Sequence, residues 1–170
     1  MARVGPPRPL SRTDDREQFD CGRLSLNTWL LRHALANHEN GASRVSVIVD
    51  AESGRLAGYV ALSAAQIARG FLPKAMQRNS PDPVPVTLLG QLAVDLTYQG
   101  QGHASSLLIH ALRTALLASR RVGSIGVITH PIDGPVRSYY AKHGFEGLPQ
   151  DPGGTMLLRM EVLRKSIGGR

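Results

Sequence analysis

Apolar residues recur along the chain at two spacings, and each spacing marks a different kind of element. Counting from Ala104, the residues Leu107, Leu108, Ala111, Leu112 and Ala115 stand at i+3, i+4, i+7, i+8 and i+11. This places one apolar stripe on a helix, and the spacing predicts a long helix from Gly102 to Arg120. Leu26, Trp29, Leu30 and Ala34 form a second stripe and predict a helix from Leu24 to about Asn37, with Trp29 as a core anchor. From Arg44 to Asp50 the pattern alternates instead, with Val45, Val47 and Val49 on one face and Ser46 on the other. That is the period of a strand. The turn Glu52-Ser53-Gly54-Arg55 leads into a return strand from Leu56 to Ala65, where Gly58 is expected to mark a bulge.

The remaining elements follow from apolar runs and their punctuation. Pro85 to Asp95 reads as a central strand, and Gly123 to His130 as a buried strand ended by Pro131. Asp133 is an expected N-cap, with Pro135 in the first turn of a helix that runs to about His143 and stops at Gly144. Thr155 to Leu163 is expected to be a final strand. Residues 1–12 are proline-rich and expected to be extended. Ala68 to Pro85 carries Pro73, Pro81, Pro83 and Pro85 and is expected to form a short helix and loop, which either lines a site or is a connecting excursion with solvated charges, the second being favoured on the residues alone. The order α, β-hairpin, loop-helix, β, α, β, α, β describes an α/β (α+β) fold, a mixed domain with a βαβ unit at its centre.

Length and charge narrow the picture further. A chain of 170 residues suits one domain, 1–170, with a real core. No run approaches the roughly 18 apolar residues of a membrane span. The N-terminus has no apolar signal core, so a cytoplasmic protein is expected. Lys and Arg number 20 against 13 Asp and Glu, a net charge of +7. This favours an acidic partner, either a nucleic acid or a phosphate-rich cofactor, although a merely soluble basic surface gives the same number. The single cysteine, Cys21, excludes an intramolecular disulfide. His33 and His38 stand five apart and do not share a helix face, so no metal site is expected.

The densest chemistry lies in Tyr98-Gln99-Gly100-Gln101-Gly102-His103-Ala104, between the central strand and the long helix. A helix start has N–H groups without intrahelical partners and a positive dipole end, and glycines let a phosphate come close to the backbone. No P-loop sequence is present, and a Rossmann fingerprint fails at its third glycine, which is Ser105 here. Gln99 to Ala104 fits the pattern Gln/Arg-x-x-Gly-x-Gly/Ala, and so resembles the pyrophosphate loop of the GNAT (Gcn5-related) N-acetyltransferases. A second stretch, Asp133-Gly134-Pro135-Val136-Arg137-Ser138-Tyr139-Tyr140-Ala141-Lys142-His143-Gly144-Phe145, resembles the GNAT pattern Asn-x-x-Ala-x-x-x-Tyr-x-x-x-Gly-Phe. Asp133 stands for the usual Asn and Val136 for the usual Ala. The resemblance implies a GNAT fold: a single mixed, mostly antiparallel sheet with helices on both faces and a splayed βαβ site for acetyl-CoA. Backbone groups of Leu92, Ala93 and Val94 would hold the pantetheine. The loop Gln99, Gly100, Gln101, Gly102, His103, Ala104 and Ser105 would hold the pyrophosphate.

Further stretches, Phe19-Asp20-Cys21-Gly22, Leu26-Asn27-Thr28-Trp29-Leu30, Pro81-Asp82-Pro83-Val84-Pro85-Val86 and Leu92-Ala93-Val94-Asp95, resemble the TacT-like GNAT toxins of bacterial toxin–antitoxin modules. That group acetylates the α-amine of amino acids charged on tRNA and so blocks translation. The resemblance implies aminoacyl-tRNA as substrate, a ribbon-helix-helix antitoxin as partner, and a homodimer. The position before Leu92, often arginine in the group, is Gln91.

Acetyl transfer needs a held donor, a neutral amine and a stabilised leaving thiolate. Tyr140 is the candidate general acid, since a phenol near its reference pKa of about 10 is protonated at neutral pH. Val136, Tyr139 and Tyr140 also fall at core spacing, and Tyr139 is read as the packing residue. No glutamate on the central strand offers a general base. A free α-amine has a reference pKa of about 8 against about 10.4 for lysine, so the missing base favours an α-amine substrate. Arg69, Lys74 and Arg78 are the candidate substrate contacts. Two further readings stay open: a GNAT enzyme acting on a small amine or a protein N-terminus, and a non-catalytic module that senses acetyl-CoA or binds nucleic acid.

Overall fold

The computed structural model describes residues 3–167. Among the described residues, seven strands and six α-helices follow in the order β1 (Arg8–Pro9), α1 (Leu24–Trp29), α2 (Leu35–Asn40), β2 (Arg44–Val49), β3 (Leu56–Ile67), α3 (Lys74–Gln77), β4 (Val84–Val94), α4 (His103–Ser119), β5 (Gly126–Thr129), α5 (Gly134–Lys142), β6 (Glu146–Gly147), β7 (Met156–Arg159) and α6 (Met160–Ser166). The strands follow the order β1-β2-β3-β4-β5-β7-β6. The β1–β2, β2–β3, β5–β7 and β6–β7 pairs are antiparallel, and β4–β5 is parallel. No helix among the described residues is long and apolar enough to cross a membrane.

The chain divides into two compact units. The first, Met1–Ser63 with Gly90–Ala111, contains the α1–α2 rod, the β2–β3 hairpin, the end of β4 and the start of α4. Its core gathers Phe19, Leu26, Leu30, Val45, Val47 and Tyr59. Leu26, Leu30 and Ala34 keep one buried face although a π-turn, Leu30–Ala34, separates α1 from α2. The rod ends at Gly41, whose φ of 85° suits a left-handed cap. It therefore runs three residues beyond the expected end at Asn37. Trp29 is half-buried and stacks on Tyr59, with ring centroids 5.9 Å apart. The hairpin register shifts between Ile48 and Val49, which face Gly58 and Leu56, so the extra residue is Ala57, next to the glycine expected to mark it. Gly58 has a second reason to lack a side chain. A Cβ there would lie 2.9 Å from the Ala93 carbonyl oxygen and 2.9 Å from Leu107 Cδ1.

The second unit, Ala64–Leu89 with Leu112–Arg170, has a core that includes Ile67, Leu72, Val84, Val86, Ile128 and Leu157. The irregular stretch before β4 resolves into a 3₁₀ turn, Arg69–Phe71, and the single-turn helix α3. The final strand is shorter than expected. β7 ends at Arg159, and Met160 to Ser166 is helix α6, which corrects the reading of Thr155–Leu163 as one strand. Met160 and Leu163 are buried at helical i, i+3 spacing, and the Met160 N–H reaches the Ile125 carbonyl at 2.9 Å. The short strand β6, two residues after Gly144, carries no alternation long enough to be read from sequence.

Candidate active site

In the first unit, β4 delivers the chain to the glycine loop. The Asp95 N–H donates to the Ala57 carbonyl of β3 at 2.9 Å. N–H and C=O of one strand residue point the same way and alternate along the strand. Ala93 therefore turns its backbone groups toward β3, whereas Leu92 and Val94 turn theirs away. β4 pairs with β5 only at Thr87–Val127 and Leu88–Ile128.

Gln99 closes the strand end. Its amide nitrogen donates to the Val94 carbonyl at 2.8 Å and to the Cys21 carbonyl at 3.2 Å. Both amide hydrogens are thereby used, so this side chain braces the loop and leaves anion binding to the main chain. The Cys21 carbonyl is itself fixed. The Cys21 N–H donates to Asn27 Oδ1 at 2.9 Å, and Asn27 Nδ2 donates to Asp20 Oδ1 at 2.9 Å. The Asp20 N–H donates to the buried Asp95 carboxylate at 3.0 Å, and the Leu96 N–H to the Asp20 carbonyl at 2.9 Å. Hydrogen bonds from the Gly22 N–H and from Asn27 hold the Asp20 carboxyl below the ordinary range.

Beyond Gln99 the chain opens. Gly100 and Gly102 have φ of 78° and 84°, in the left-handed region where glycine is favoured. A Cβ at either would meet nothing within 4 Å, so the loop presents bare backbone to open space. α4 then begins at His103 and carries no acidic residue in its first turn. The N–H groups of a helix's first turn are short of intrahelical partners by geometry, and the dipole makes that end positive. His103 Nε2 is buried without a hydrogen-bond partner. This open, electropositive main-chain surface suits a phosphate-bearing ligand.

In the second unit, α5 starts as its sequence predicts. Asp133 Oδ1 accepts from the Val136 N–H at 2.9 Å. Tyr140 is buried, its ring edge-on to Phe145 with centroids 5.2 Å apart. Tyr139, read as the packing residue, is the more exposed of the two and lies against Tyr140 and His143. Burial pushes the Tyr140 phenol up to about 12, and a hydrogen bond with Thr129 pulls the other way. The buried Thr129 hydroxyl also stands 3.1 Å from the Leu89 carbonyl. Its single hydrogen serves either that carbonyl or the phenol oxygen, and in the second arrangement it favours ionised phenol. Thr129 was not anticipated from sequence; the signal was a polar residue closing an apolar strand.

Of the three cationic candidates, Arg69 is half-buried and donates to the Ser80 carbonyl at 3.1 Å. Lys74 and Arg78 are exposed, and no ion pair engages them among the described residues. No group of three or more His, Cys, Asp or Glu among the described residues could hold a metal ion.

Residues 10–145 match the model of the acetyltransferase (GNAT) family. The chain belongs to the GNAT family. Over 168 residues, covering 99% of each chain, it is 39% identical to a tRNA-acetylating toxin of Mycobacterium tuberculosis. Among solved structures it superposes on AtaT complexed with acetyl-methionyl-tRNAfMet, with a TM-score of 0.88, 26% identity and 96% and 98% of the two chains covered. It also superposes on AtaTR bound with AcCoA, with a TM-score of 0.82, 26% identity and 95% and 96% covered. The GNAT loop of this protein thus lies where a strand end, two left-handed glycines and a helix start meet.

Proposed function

We propose that this GNAT protein is an acetyl-CoA-dependent toxin that acetylates the α-amine of aminoacyl-tRNA and blocks translation. The observation that carries this reading is the 39% identity, along nearly the whole of both chains, to a relative named for acetylating tRNA. The open, acid-free loop of the first unit supports the donor half, and the net charge of +7 supports a nucleic-acid acceptor. In this reading residues 1–170 act as a single acetyltransferase domain. Its cellular counterpart is an antitoxin of the ribbon-helix-helix class, the protein works as a homodimer, and its place is the cytoplasm.

Acetyl-CoA supplies an activated acyl group. Backbone N–H groups from Gln101 to Ser105 receive its pyrophosphate, and the outward backbone groups of Leu92 together with the Val94 N–H receive its pantetheine. Ala93, whose groups face β3, and Gln99, whose amide is used, support the site without touching the donor. The acceptor amine attacks the thioester carbonyl; a C–N bond forms, the C–S bond breaks, and the amine loses the proton that balances the thiolate. A phenol near 12 is a far weaker acid than a thiol near its reference of about 8.5, so full proton transfer from Tyr140 is roughly a thousandfold uphill. Tyr140 instead stabilises the departing sulfur as a hydrogen-bond donor, and the surplus amine proton ends on the thiol. β4 offers no carboxylate, and Asp95 just after it accepts from the Asp20 and Thr97 N–H groups. A substrate amine already neutral at pH 7 fits that lack of a base, which favours an α-amine over lysine.

The test is transfer of labelled acetyl from acetyl-CoA to charged tRNA, to the same tRNA uncharged, and to a small aminoacyl ester. Label in charged tRNA alone, falling steeply as salt rises, is the expected result. Equal use of the small ester, with the same salt response, defeats the tRNA reading.

A further inference from the structure

A cavity of about 440 Å³ opens in the second unit, and of its lining residues Lys74 has figured above as a candidate substrate contact. The 3₁₀ turn and α3 form one wall, with Phe71, Lys74 and Gln77 on it; Pro149 and Gln150 form the other. Both walls are fixed. The Phe71 and Leu72 N–H groups close the turn on the Ala68 and Arg69 carbonyls at 3.0 and 3.1 Å. Facing them, the Leu148 N–H holds the Thr155 carbonyl at 3.0 Å, and Arg137 Nη1 holds the Gly154 carbonyl at 2.9 Å.

The chemistry of the walls is specific. Phe71 is only partly buried against the unit's core and is one of the residues lining the cavity. Lys74 lies at the rim and Arg78 one turn beyond it, both exposed and without an ion pair among the described residues. Gln77 uses its amide nitrogen on the Leu72 carbonyl at 2.9 Å, which leaves its carbonyl oxygen as an acceptor. Gln150 is exposed and brings a donor and an acceptor of its own. An aromatic face, amide edges and unneutralised cations together are what an unstacked nucleotide needs: a ring to stack on, groups to meet the base edge, and charge for its phosphate. An acidic peptide would satisfy the cations but not the aromatic face, and a volume of 440 Å³ lies in the range of small-ligand pockets.

We propose that this cavity receives one unpaired base from the 3′ end of tRNA, stacked on Phe71, with Lys74 and Arg78 on its phosphates. The proposal rests on the tRNA reading above and adds a second point of hold, separate from the acetylated amine. Such a hold favours a tRNA-borne amino acid over the free one even where the amine is identical.

The experiment uses the full chain and an acceptor-stem minihelix with 2-aminopurine placed in turn at each unpaired 3′ position. Stacking on Phe71 should change the fluorescence at one position on saturation with the wild-type protein. Phe71→Leu keeps the buried part of the side chain and should abolish that change, while weakening minihelix binding roughly 5- to 100-fold, the size of one lost base–aromatic stack. Lys74→Glu should weaken binding and flatten its salt dependence. A melting temperature within a few degrees of wild type shows that each variant is folded. If the minihelix binds and charged tRNA is acetylated with no fluorescence change at any position, the pocket proposal is overturned and the substrate reading stands. If an acidic peptide displaces the minihelix only through Lys74 and leaves the Phe71 signal unmoved, the base-stacking site is equally overturned. If charged tRNA is not acetylated at all, the substrate reading fails first and this proposal falls with it.

Discussion

The amide of Gln99 lies 2.8 Å from the carbonyl of Val94, so the first residue of the glycine loop is tied to the last residue of the strand that leads into it. Its second hydrogen reaches Cys21, whose own N–H is held by Asn27. A segment near residue 20 thus sets the position of a loop near residue 100. Asn27→Ala should weaken acetyl-CoA binding roughly tenfold without touching the ligand, because it frees the Cys21 N–H and the Asp20 carboxylate together. Loss of hydrogen bonds of this kind costs about 1–3 kcal/mol where they are shielded. Calorimetric titration measures the affinity, and hydrogen exchange at residues 99–105 should speed up. Normal exchange with lost affinity would mean that the coupling runs by another route.

Gly102→Glu should abolish acetyl-CoA binding. The backbone there has φ of 84°, which disfavours any side chain, and the new carboxylate would face the pyrophosphate. Unchanged affinity by titration would remove the pyrophosphate from this loop.

Tyr140→Phe should lower turnover roughly 10²- to 10³-fold, the size of one lost transition-state hydrogen-bond donor, while acetyl-CoA affinity changes little. Packing against Phe145 survives, since only one oxygen is removed. Tyr139→Phe is the control and should keep most activity. The reverse outcome would transfer the role to Tyr139, and two active variants would leave the thiolate to solvent or backbone.

Thr129→Val should reduce kcat at unchanged KM for acetyl-CoA, and Thr129→Ser should restore it. The valine leaves the Leu89 carbonyl short of its hydroxyl partner, an expected cost of about 1–3 kcal/mol. Were Thr129 merely structural, the melting temperature would fall and kcat would hold.

His110 gives a pH signature. Burial lowers its pKa below the ordinary value, and its Nε2 lies 3.1 Å from Ser46 Oγ. A histidine with a depressed folded-state pKa binds fewer protons than in the unfolded chain. Its stability contribution is full above the unfolded value of about 6.5 and is lost as pH falls below it. Melting temperatures taken from pH 7.5 to 5.5 should decline, and His110→Gln should make that decline shallower. Identical slopes would assign the acid sensitivity elsewhere.

The elements with long periodic stripes were legible in the sequence. The stripe from Leu107 to Ala115 is buried on α4, and the alternating valines define β2. Asp133 caps α5 because a side-chain oxygen at that spacing meets the Val136 N–H whatever the tertiary context. Short elements were not legible. Met156 to Leu163 holds four strand and four helix residues, too few for either period to declare itself, and tertiary burial of Met160 and Leu163 decides between them. In the site, the glycines were readable because backbone conformation selects them. The work of Asp20, Asn27 and Thr129 was not, because the contacts that carry it end on residues far away in the chain: Asp95, Gln99 through Cys21, and Leu89. Tyr139 and Tyr140 differ in burial in a way adjacent positions on one helix cannot reveal from spacing alone.

A binding surface made of main chain has a consequence for heredity. In a population of cells selected to survive expression of this protein, escape through the loop should fall on Gln99, Gly100 and Gly102 or on changes that alter its length. Gln101 and His103, which offer the ligand the same N–H groups under almost any identity, should drift freely. The spectrum of survivors would then trace the shape of the backbone, with the braces at Asp20 and Asn27 appearing as distant hits that no inspection of the loop alone would explain.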